Sequence, residues 1–117
     1  MWQLPGALQE IERAGDVIIV LELIDFFQKD TAARLERLHD AAARSDAATV
    51  KEEAHTMRGS ARQMGAETLA DLFRAVEASA SQMNWSELAG QLEQADQCFA
   101  EVRGAMSEYV RARGRAG

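Results

Sequence analysis

Hydrophobic residues recur along most of the chain with the three- and four-residue steps of an α-helix, and breaks in this pattern divide the chain into five segments. Runs of β-branched residues are nearly absent, apart from the short stretch Val17 to Val20. The predicted fold class is therefore all-α. The five helices are predicted over about Pro5–Ala14, Val17–Arg44, Ala47–Met64, Glu67–Ala80 and Trp85–Arg111.

Residues that favour helix ends stand at the boundaries of these segments. Gly15 and Gly65 follow the first and third segments, where a glycine readily takes the left-handed conformation that ends a helix. Asp16 and Asp46 precede the second and third segments and suit an N-cap. Four long amphipathic helices joined by short turns predict an up-and-down antiparallel four-helix bundle, with the short first helix capping one end.

The same pattern predicts which side chains are buried. The third helix has one continuous apolar seam, formed by Val50, Ala54, Met57, Ala61 and Met64. In the second helix Phe27 fits the seam through Ile24, and consecutive helical residues lie about 100° apart. Phe26 should therefore be partly exposed, where it could anchor a protein partner. The alternative is that Phe26 packs under the first helix.

The length of 117 residues suits one domain. We predict a single domain over residues 1–117, with its core between about residues 4 and 111 and a frayed tail from 112 to 117. The end of the chain is basic, and positive charge is favourable at a helix C-terminus. The basic residues there are Arg111, Arg113 and Arg115.

Charge and composition restrict the partners and the location. The net charge of −6 argues against nucleic acid as a partner, because phosphate contacts need clustered lysines and arginines. The longest apolar run, Val17 to Leu21, is too short to cross a membrane. The N-terminus lacks the pattern of a secretory signal, and the one cysteine, Cys98, suits a reducing compartment. We therefore expect a cytoplasmic protein.

Several kinds of chemistry have no support in the sequence. His39, His55 and Cys98 lack the close spacing of a metal site, so no metal is expected. The chain has neither a glycine-rich phosphate loop nor a nucleophile–base–carboxylate set. His39 is interpreted as a surface residue and Cys98 as a half-buried apolar one.

One stripe of the third helix, beside its buried seam, combines groups that can carry chemistry. Its members are His55, Arg58, Gly59 and Arg62. The spacing predicts that this stripe faces solvent. The two arginines favour a neutral, nucleophilic imidazole and would offset the charge of an attached phosphoryl group. A neutral ring nitrogen needs no general base to attack phosphorus, and the sequence indicates no acid–base partner beside His55.

Gly59 is the unusual member of this stripe. A glycine in the middle of a helix costs roughly 0.5–1 kcal/mol relative to alanine. Gly59 lies one turn after His55 on the same face, so its missing side chain would let another protein surface approach the imidazole. Close packing of another helix against Gly59 is the alternative.

The motif His55-x-x-Arg58-Gly59-Ser60-Ala61 is followed by Gly65-Ala66 and Leu69, and flanked by Phe26-Phe27 and Leu72-Phe73-x-x-Val76-Glu77. Together these segments resemble the histidine-containing phosphotransfer (HPt) domains of multistep two-component phosphorelays. The resemblance extends from about Leu4 to Tyr109. The family usually has a lysine where this chain has Arg58, which keeps the charge but on a planar group.

The resemblance implies a phosphorelay protein that accepts a phosphoryl group on His55 from a receiver-domain aspartate and passes it to another. Arg58 and Gly59 would complete the transfer site, and Phe26 and Arg62 would contact the partner. The implied partners are response-regulator receiver domains and a hybrid sensor histidine kinase. A monomeric carrier is implied, not an enzyme, without ATP-binding or hydrolytic machinery. It would bind no cofactor, since the Mg²⁺ belongs to the receiver.

Two other functions fit a similar pattern. A phospho-accepting domain of a chemotaxis-type kinase has an overlapping signature, and the Gly65-Ala66 ending favours the phosphorelay carrier over it. A helical docking adaptor would keep the bundle without transferring phosphate, and the intact His55 counts against this alternative.

Overall fold

The computed structural model describes residues 2–114, and these residues form five α-helices without a strand. The all-α prediction is confirmed. Each helix starts and ends within one residue of its predicted bounds, except that the last helix ends at Gly114 and not at Arg111. The helices are α1 (Gly6–Arg13), α2 (Val17–Ala43), α3 (Ala47–Gln63), α4 (Glu67–Ser81) and α5 (Trp85–Gly114). No helix in this part of the chain is long and apolar enough to cross a membrane.

The helix ends form where the predicted capping residues stand. Gly15 and Gly65 have φ angles of 95° and 75°, the left-handed conformation that glycine adopts without strain. Asp46 caps α3, because its carboxylate accepts from the backbone N–H of Thr49 at 3.2 Å and from the Thr49 hydroxyl at 2.7 Å. The hydroxyl and then the backbone hydrogen bond lower the pKa of Asp46. Asp16 occupies the N-cap position of α2 but makes no capping hydrogen bond with its side chain.

The four long helices enclose one hydrophobic core. Helix α2 packs against α3 and α5, and α4 packs against α3 and α5, so the contacts close a ring. The rings of Phe27 and Phe99 meet edge to face at 6.3 Å between centroids, which joins α2 to α5. Helix α1 packs on α2 and contributes the buried Leu8 to the core.

The buried seams follow the predicted pattern most closely in α3, where all five predicted residues are buried. The same helical spacing predicts that Leu72 and Ala42 are buried, but each is only half-buried. Leu72 of α4 is half-buried because it lies about 100° round the helix from the buried Phe73. In α2, Ala41 is buried and Ala42 is only half-buried, since the face that meets the neighbouring helices is centred one residue earlier.

The two ends of the chain are tied together beside α1. The Trp2 indole N–H donates to the carbonyl of Met64 at 2.7 Å, and the Trp2 ring meets Tyr109 edge to face. The Tyr109 hydroxyl donates to Glu12, and Arg113 donates to the same carboxylate at 3.0 and 3.2 Å. The guanidinium of Arg113 also lies 4.0 Å from the centroid of the Tyr109 ring.

This tie corrects the prediction of a frayed tail. Helix α5 continues through Gly114, so residues 112–114 are helical, and Arg113 is held by Glu12. The separation of Glu12 and Arg113 along the chain explains why helical periodicity gave no sign of their contact. The predicted fraying of Arg115 and the residues after it lies outside the described residues.

We expect Arg113→Gln to lower the free energy of unfolding by about 0.5–1 kcal/mol at pH 7. The Arg113 hydrogen bonds, followed by the Tyr109 hydroxyl, hold the pKa of Glu12 below the usual carboxyl value of 4.5. A carboxyl with a lowered pKa contributes stability above pH 4.5, and the contribution is lost as the pH falls through the lowered value. Thermal melts of the wild-type and variant proteins should therefore converge in acid.

The matched control is Arg74→Gln, at an exposed position of α4. It should leave the melting temperature nearly unchanged at both pH values. An Arg113→Gln effect that persists at low pH would contradict an ionic tie between Glu12 and Arg113.

Candidate functional site

The third helix presents the predicted stripe to solvent. Burial of Ala54, Met57 and Ala61 against the neighbouring helices turns the opposite side of α3 outward. The His55 side chain is 64% exposed, whereas the Arg58 side chain is largely covered. An imidazole so exposed can be reached by a reacting group on another protein.

His55 is in contact with two charged side chains of opposite sign. Its Nδ1 lies 3.2 Å from Nη2 of Arg58 and 3.5 Å from Oε2 of Glu77, which projects from α4. Nη1 of Arg58 is 3.8 Å from the same carboxylate oxygen. The three side chains therefore form one cluster. Arg58 and Glu77 both contact Nδ1, and Nε2 lies on the opposite edge of the imidazole ring, away from these two contacts.

Arg58 and Glu77 require different protonation states of Nδ1. A guanidinium can only donate, so a hydrogen bond from Arg58 requires a bare Nδ1 and leaves the proton of a neutral ring on Nε2. An ionised carboxylate can only accept, so a hydrogen bond to Glu77 requires a proton on Nδ1 and leaves a lone pair on Nε2. The contacts of Arg58 and Glu77 therefore determine which ring nitrogen of a neutral His55 carries the lone pair.

Glu77 is the residue that sequence reasoning missed, and it corrects the expectation that His55 has no acid–base partner. Its Oε2 is buried and makes no hydrogen bond to another described residue. The sequence contains a signal for it, because Val76-Glu77 belongs to the segments that carry the family resemblance. Its contact with His55 could not be predicted without the register between α3 and α4.

The space beside Gly59 is open. A Cβ built at Gly59 would meet no atom within 4 Å outside its own helical turn, so no neighbouring helix packs closely there. The packing alternative is therefore wrong. Gly90 and Gly104 of α5 are equally open, so an exposed glycine within a helix does not by itself mark a functional site in this protein.

The remaining predicted residues lie apart from the cluster. Arg62 pairs with Glu67 at 3.7 Å, about 10 Å along α3 from His55. Phe26 is 67% exposed on α2, whereas Phe27 is buried, so Phe26 does not pack under α1. His39 lies between α2 and α5, where its Nε2 is 2.8 Å from the Asp96 carboxylate.

No further group with obvious chemistry lies among residues 2–114. Cys98 is half-buried as expected, and burial raises the pKa of its thiol, which disfavours the reactive thiolate. Within residues 2–114 no group of three or more histidine, cysteine or acidic side chains is arranged to hold a metal ion.

Comparisons with known proteins agree on one family. The family model described as Hpt domain matches residues 22–111. Among solved structures, the chain resembles the crystal structure of histidine-containing phosphotransfer protein B (HptB) from Pseudomonas aeruginosa PAO1, with a TM-score of 0.81 and 29% identity. That match covers 91% of this chain and 89% of the other. No curated protein matches the chain.

Because the space beside Gly59 is open, Gly59→Ala should raise the free energy of unfolding by roughly 0.5–1 kcal/mol, the usual gain for this change within a helix. Gly90→Ala, also at an open helical position, is the matched control and should stabilise by a similar amount. Urea melts of both variants provide the measurement. Destabilisation by Gly59→Ala alone would mean that a neighbouring segment packs against Gly59 after all.

Proposed function

The chain belongs to the Hpt domain family, and we propose that it is a phosphorelay carrier whose His55 accepts a phosphoryl group from the aspartate of one receiver domain and passes it to the aspartate of another. The observation that carries this proposal is the exposed His55 imidazole, with Nδ1 bracketed by Arg58 and Glu77. The name of the similar HptB structure, a histidine-containing phosphotransfer protein, supports the same role.

The reaction requires a nucleophile and compensation of charge. The lone pair of His55 Nε2 attacks the phosphorus of an aspartyl phosphate on the receiver, the N–P bond forms, and the P–O bond to the aspartate breaks and releases its carboxylate. The Nδ1 proton stays on the ring, where the Glu77 carboxylate, now 3.5 Å from Nδ1, would move closer and accept a hydrogen bond from it. The return step reverses these changes on a second receiver. Phosphoryl transfer depends mainly on positioning and electrostatic stabilisation, so little further machinery is needed.

Arg58 and Gly59 complete the proposed transfer site. Arg58 already lies within hydrogen-bonding distance of the imidazole, and a small movement would bring its guanidinium to a phosphoryl group on His55. The open space at Gly59 leaves room for the receiver to approach. Arg62 and the exposed Phe26 are proposed to contact the receiver at the edge of the site.

The scaffold proposed for this site is an up-and-down antiparallel bundle capped by α1. Pairs of contacts between neighbouring helices support the antiparallel arrangement. In each pair of helices, the residue number on one helix falls as the number of the contacting residue on the other helix rises. Between α2 and α5, Gln28 contacts Arg103 and His39 contacts Asp96. Between α3 and α4, His55 contacts Glu77 and Arg62 contacts Glu67. The whole chain is proposed to be this one domain.

The receiver domain is proposed to supply the other reacting groups. It carries the aspartate and the Mg²⁺, so this protein itself would bind no cofactor and would act as a monomeric carrier without ATP-dependent or hydrolytic activity of its own. A hybrid sensor histidine kinase would load the relay through its receiver domain. Phosphorylation of His55 directly by an ATP-binding kinase domain would identify a chemotaxis-type role instead.

His55→Gln should abolish phosphoryl acceptance and change the free energy of unfolding by no more than about 0.5 kcal/mol, because the side chain is exposed. The measurement is incubation with a phosphorylated receiver, followed by assay for acid-labile, base-stable phosphate. His39→Ala is the control and should transfer at the wild-type rate. Labelling of the His55→Gln protein would overturn the assignment, and labelling only by a kinase core with ATP would favour the chemotaxis-type role.

Glu77→Ala should slow phosphoryl acceptance by about tenfold or more, because a hydrogen bond that Nδ1 forms to this carboxylate during transfer would be worth about 1.5–3 kcal/mol, and without Glu77 only Arg58 contacts Nδ1. Single-turnover transfer from a phosphorylated receiver measures the rate. Asp71→Ala, an exposed carboxylate on another face of α4, is the control. An unchanged rate for Glu77→Ala would mean that Glu77 does not select the reactive nitrogen.

A further inference from the structure

Two exposed basic side chains are not held by any other side chain. Lys51 of α3 and Arg74 of α4 make neither an ion pair nor a hydrogen bond with another side chain among residues 2–114. Every other lysine and arginine in this range contacts a carboxylate or the amide of a glutamine. Because the net charge of −6 makes carboxylates plentiful, two basic side chains without one are unusual.

Lys51 and Arg74 lie on either side of His55 along the bundle. Lys51 is four residues before His55, about 6 Å away along the same side of α3. Glu77 of α4 contacts His55 and marks the level of His55 on α4. Arg74 is three residues before Glu77, and helices joined by a short turn run in opposite directions. Arg74 is therefore level with Arg58, about 4.5 Å along the bundle from His55 in the direction away from Lys51.

A phosphoryl group on His55 would need more positive charge than the cluster of His55, Arg58 and Glu77 supplies. The phosphoryl group carries close to two negative charges at neutral pH, and the Glu77 carboxylate lies beside it. The protonated ring and the guanidinium of Arg58 would offset about two of these roughly three negative charges. Arg62 is already paired with Glu67. Lys51 and Arg74 are the nearby basic side chains that remain to supply the rest.

We propose that Lys51 and Arg74 form a phosphate-binding site that is occupied when His55 is phosphorylated. The ammonium of Lys51 and the guanidinium of Arg74 would contact the oxygens of the phosphoryl group on Nε2. Lysine offers a compact charge on a flexible stem, and arginine can donate two parallel hydrogen bonds to a phosphate. Because neither side chain has an ion pair to give up, both can turn to the phosphoryl group without breaking an existing contact. This inference rests on the proposed function, and it concerns this chain without a partner.

The phosphate-binding site should lengthen the lifetime of the phosphohistidine. Loss of the phosphoryl group to water breaks the N–P bond through a loose, metaphosphate-like transition state, and the bonding electrons return to Nε2. The charge on the phosphoryl group falls from about two negative charges toward one, while the ring becomes neutral, and water then adds to the phosphorus to give inorganic phosphate. Cations at the phosphoryl oxygens therefore stabilise the phosphohistidine more than the transition state, and they slow its hydrolysis.

The double variant Lys51→Gln/Arg74→Gln tests this site in the isolated protein. Phosphoramidate, a small phosphoryl donor, loads His55 without a receiver, and phosphorus NMR follows the phosphohistidine after the donor is removed. We expect its half-life to fall about threefold or more, since each cation contributes about as much as an exposed ion pair. The variant Lys51→Arg/Arg74→Lys, which keeps both charges, should retain most of the wild-type half-life.

The matched control is Arg13→Gln/Arg103→Gln, which removes two exposed cations from α1 and α5, helices that do not pack against α3. Its phosphohistidine should have the wild-type half-life. An unchanged half-life for Lys51→Gln/Arg74→Gln would overturn the site, and so would an equal fall in the control, because net charge alone would then explain the effect. Failure of the wild type to accept phosphate from every receiver would refute the proposed function instead, and it would leave this comparison intact.

Discussion

The burial of one seam of α3 is the constraint on which the rest of the site depends. Ala54, Met57 and Ala61 are fully buried between α2 and α4, and this fixes the rotation of α3 about its axis. A rotation that buried His55 would expose Met57, and an apolar side chain of that size gains about 1.5–3 kcal/mol from burial. The imidazole is therefore held in solvent by the core beneath it, and no loop or lid is required to present it.

The same orientation of α3 places the Nδ1 edge of His55 toward Glu77 of α4. This contact is the basis of the phosphoryl transfer proposed for His55. Arg58 and Glu77 compete for one ring nitrogen, and only the contact with Glu77 leaves the other nitrogen nucleophilic. A phosphoryl group brought by a partner would attract the Arg58 guanidinium, because charge-assisted contacts with phosphate are strong. As the partner approached, Arg58 would leave Nδ1, and Nδ1 could carry the ring proton and point it at Glu77. The lone pair would then lie on Nε2, which could attack phosphorus.

Much of this arrangement could be predicted from the sequence, because it depends on local periodicity. The helix ends follow from Gly15, Gly65 and Asp46, and the exposure of His55 and Phe26 follows from their angles to buried neighbours on the same helix. Contacts between helices could not be predicted in the same way. Glu77 meets His55 only through the register of α3 against α4, and Glu12 ties the end of α5 across almost the whole chain.

We propose that His55 carries the phosphoryl group on Nε2 while its Nδ1 keeps its proton and directs it at Glu77. Long-range ¹H–¹⁵N NMR of the histidine rings, recorded before and after transfer from a phosphorylated receiver, tests it most directly. We expect coupling of phosphorus to Nε2 of His55, a protonated Nδ1, and unchanged signals from His39. Phosphorus coupled to Nδ1 of His55, or to either nitrogen of His39, would contradict it.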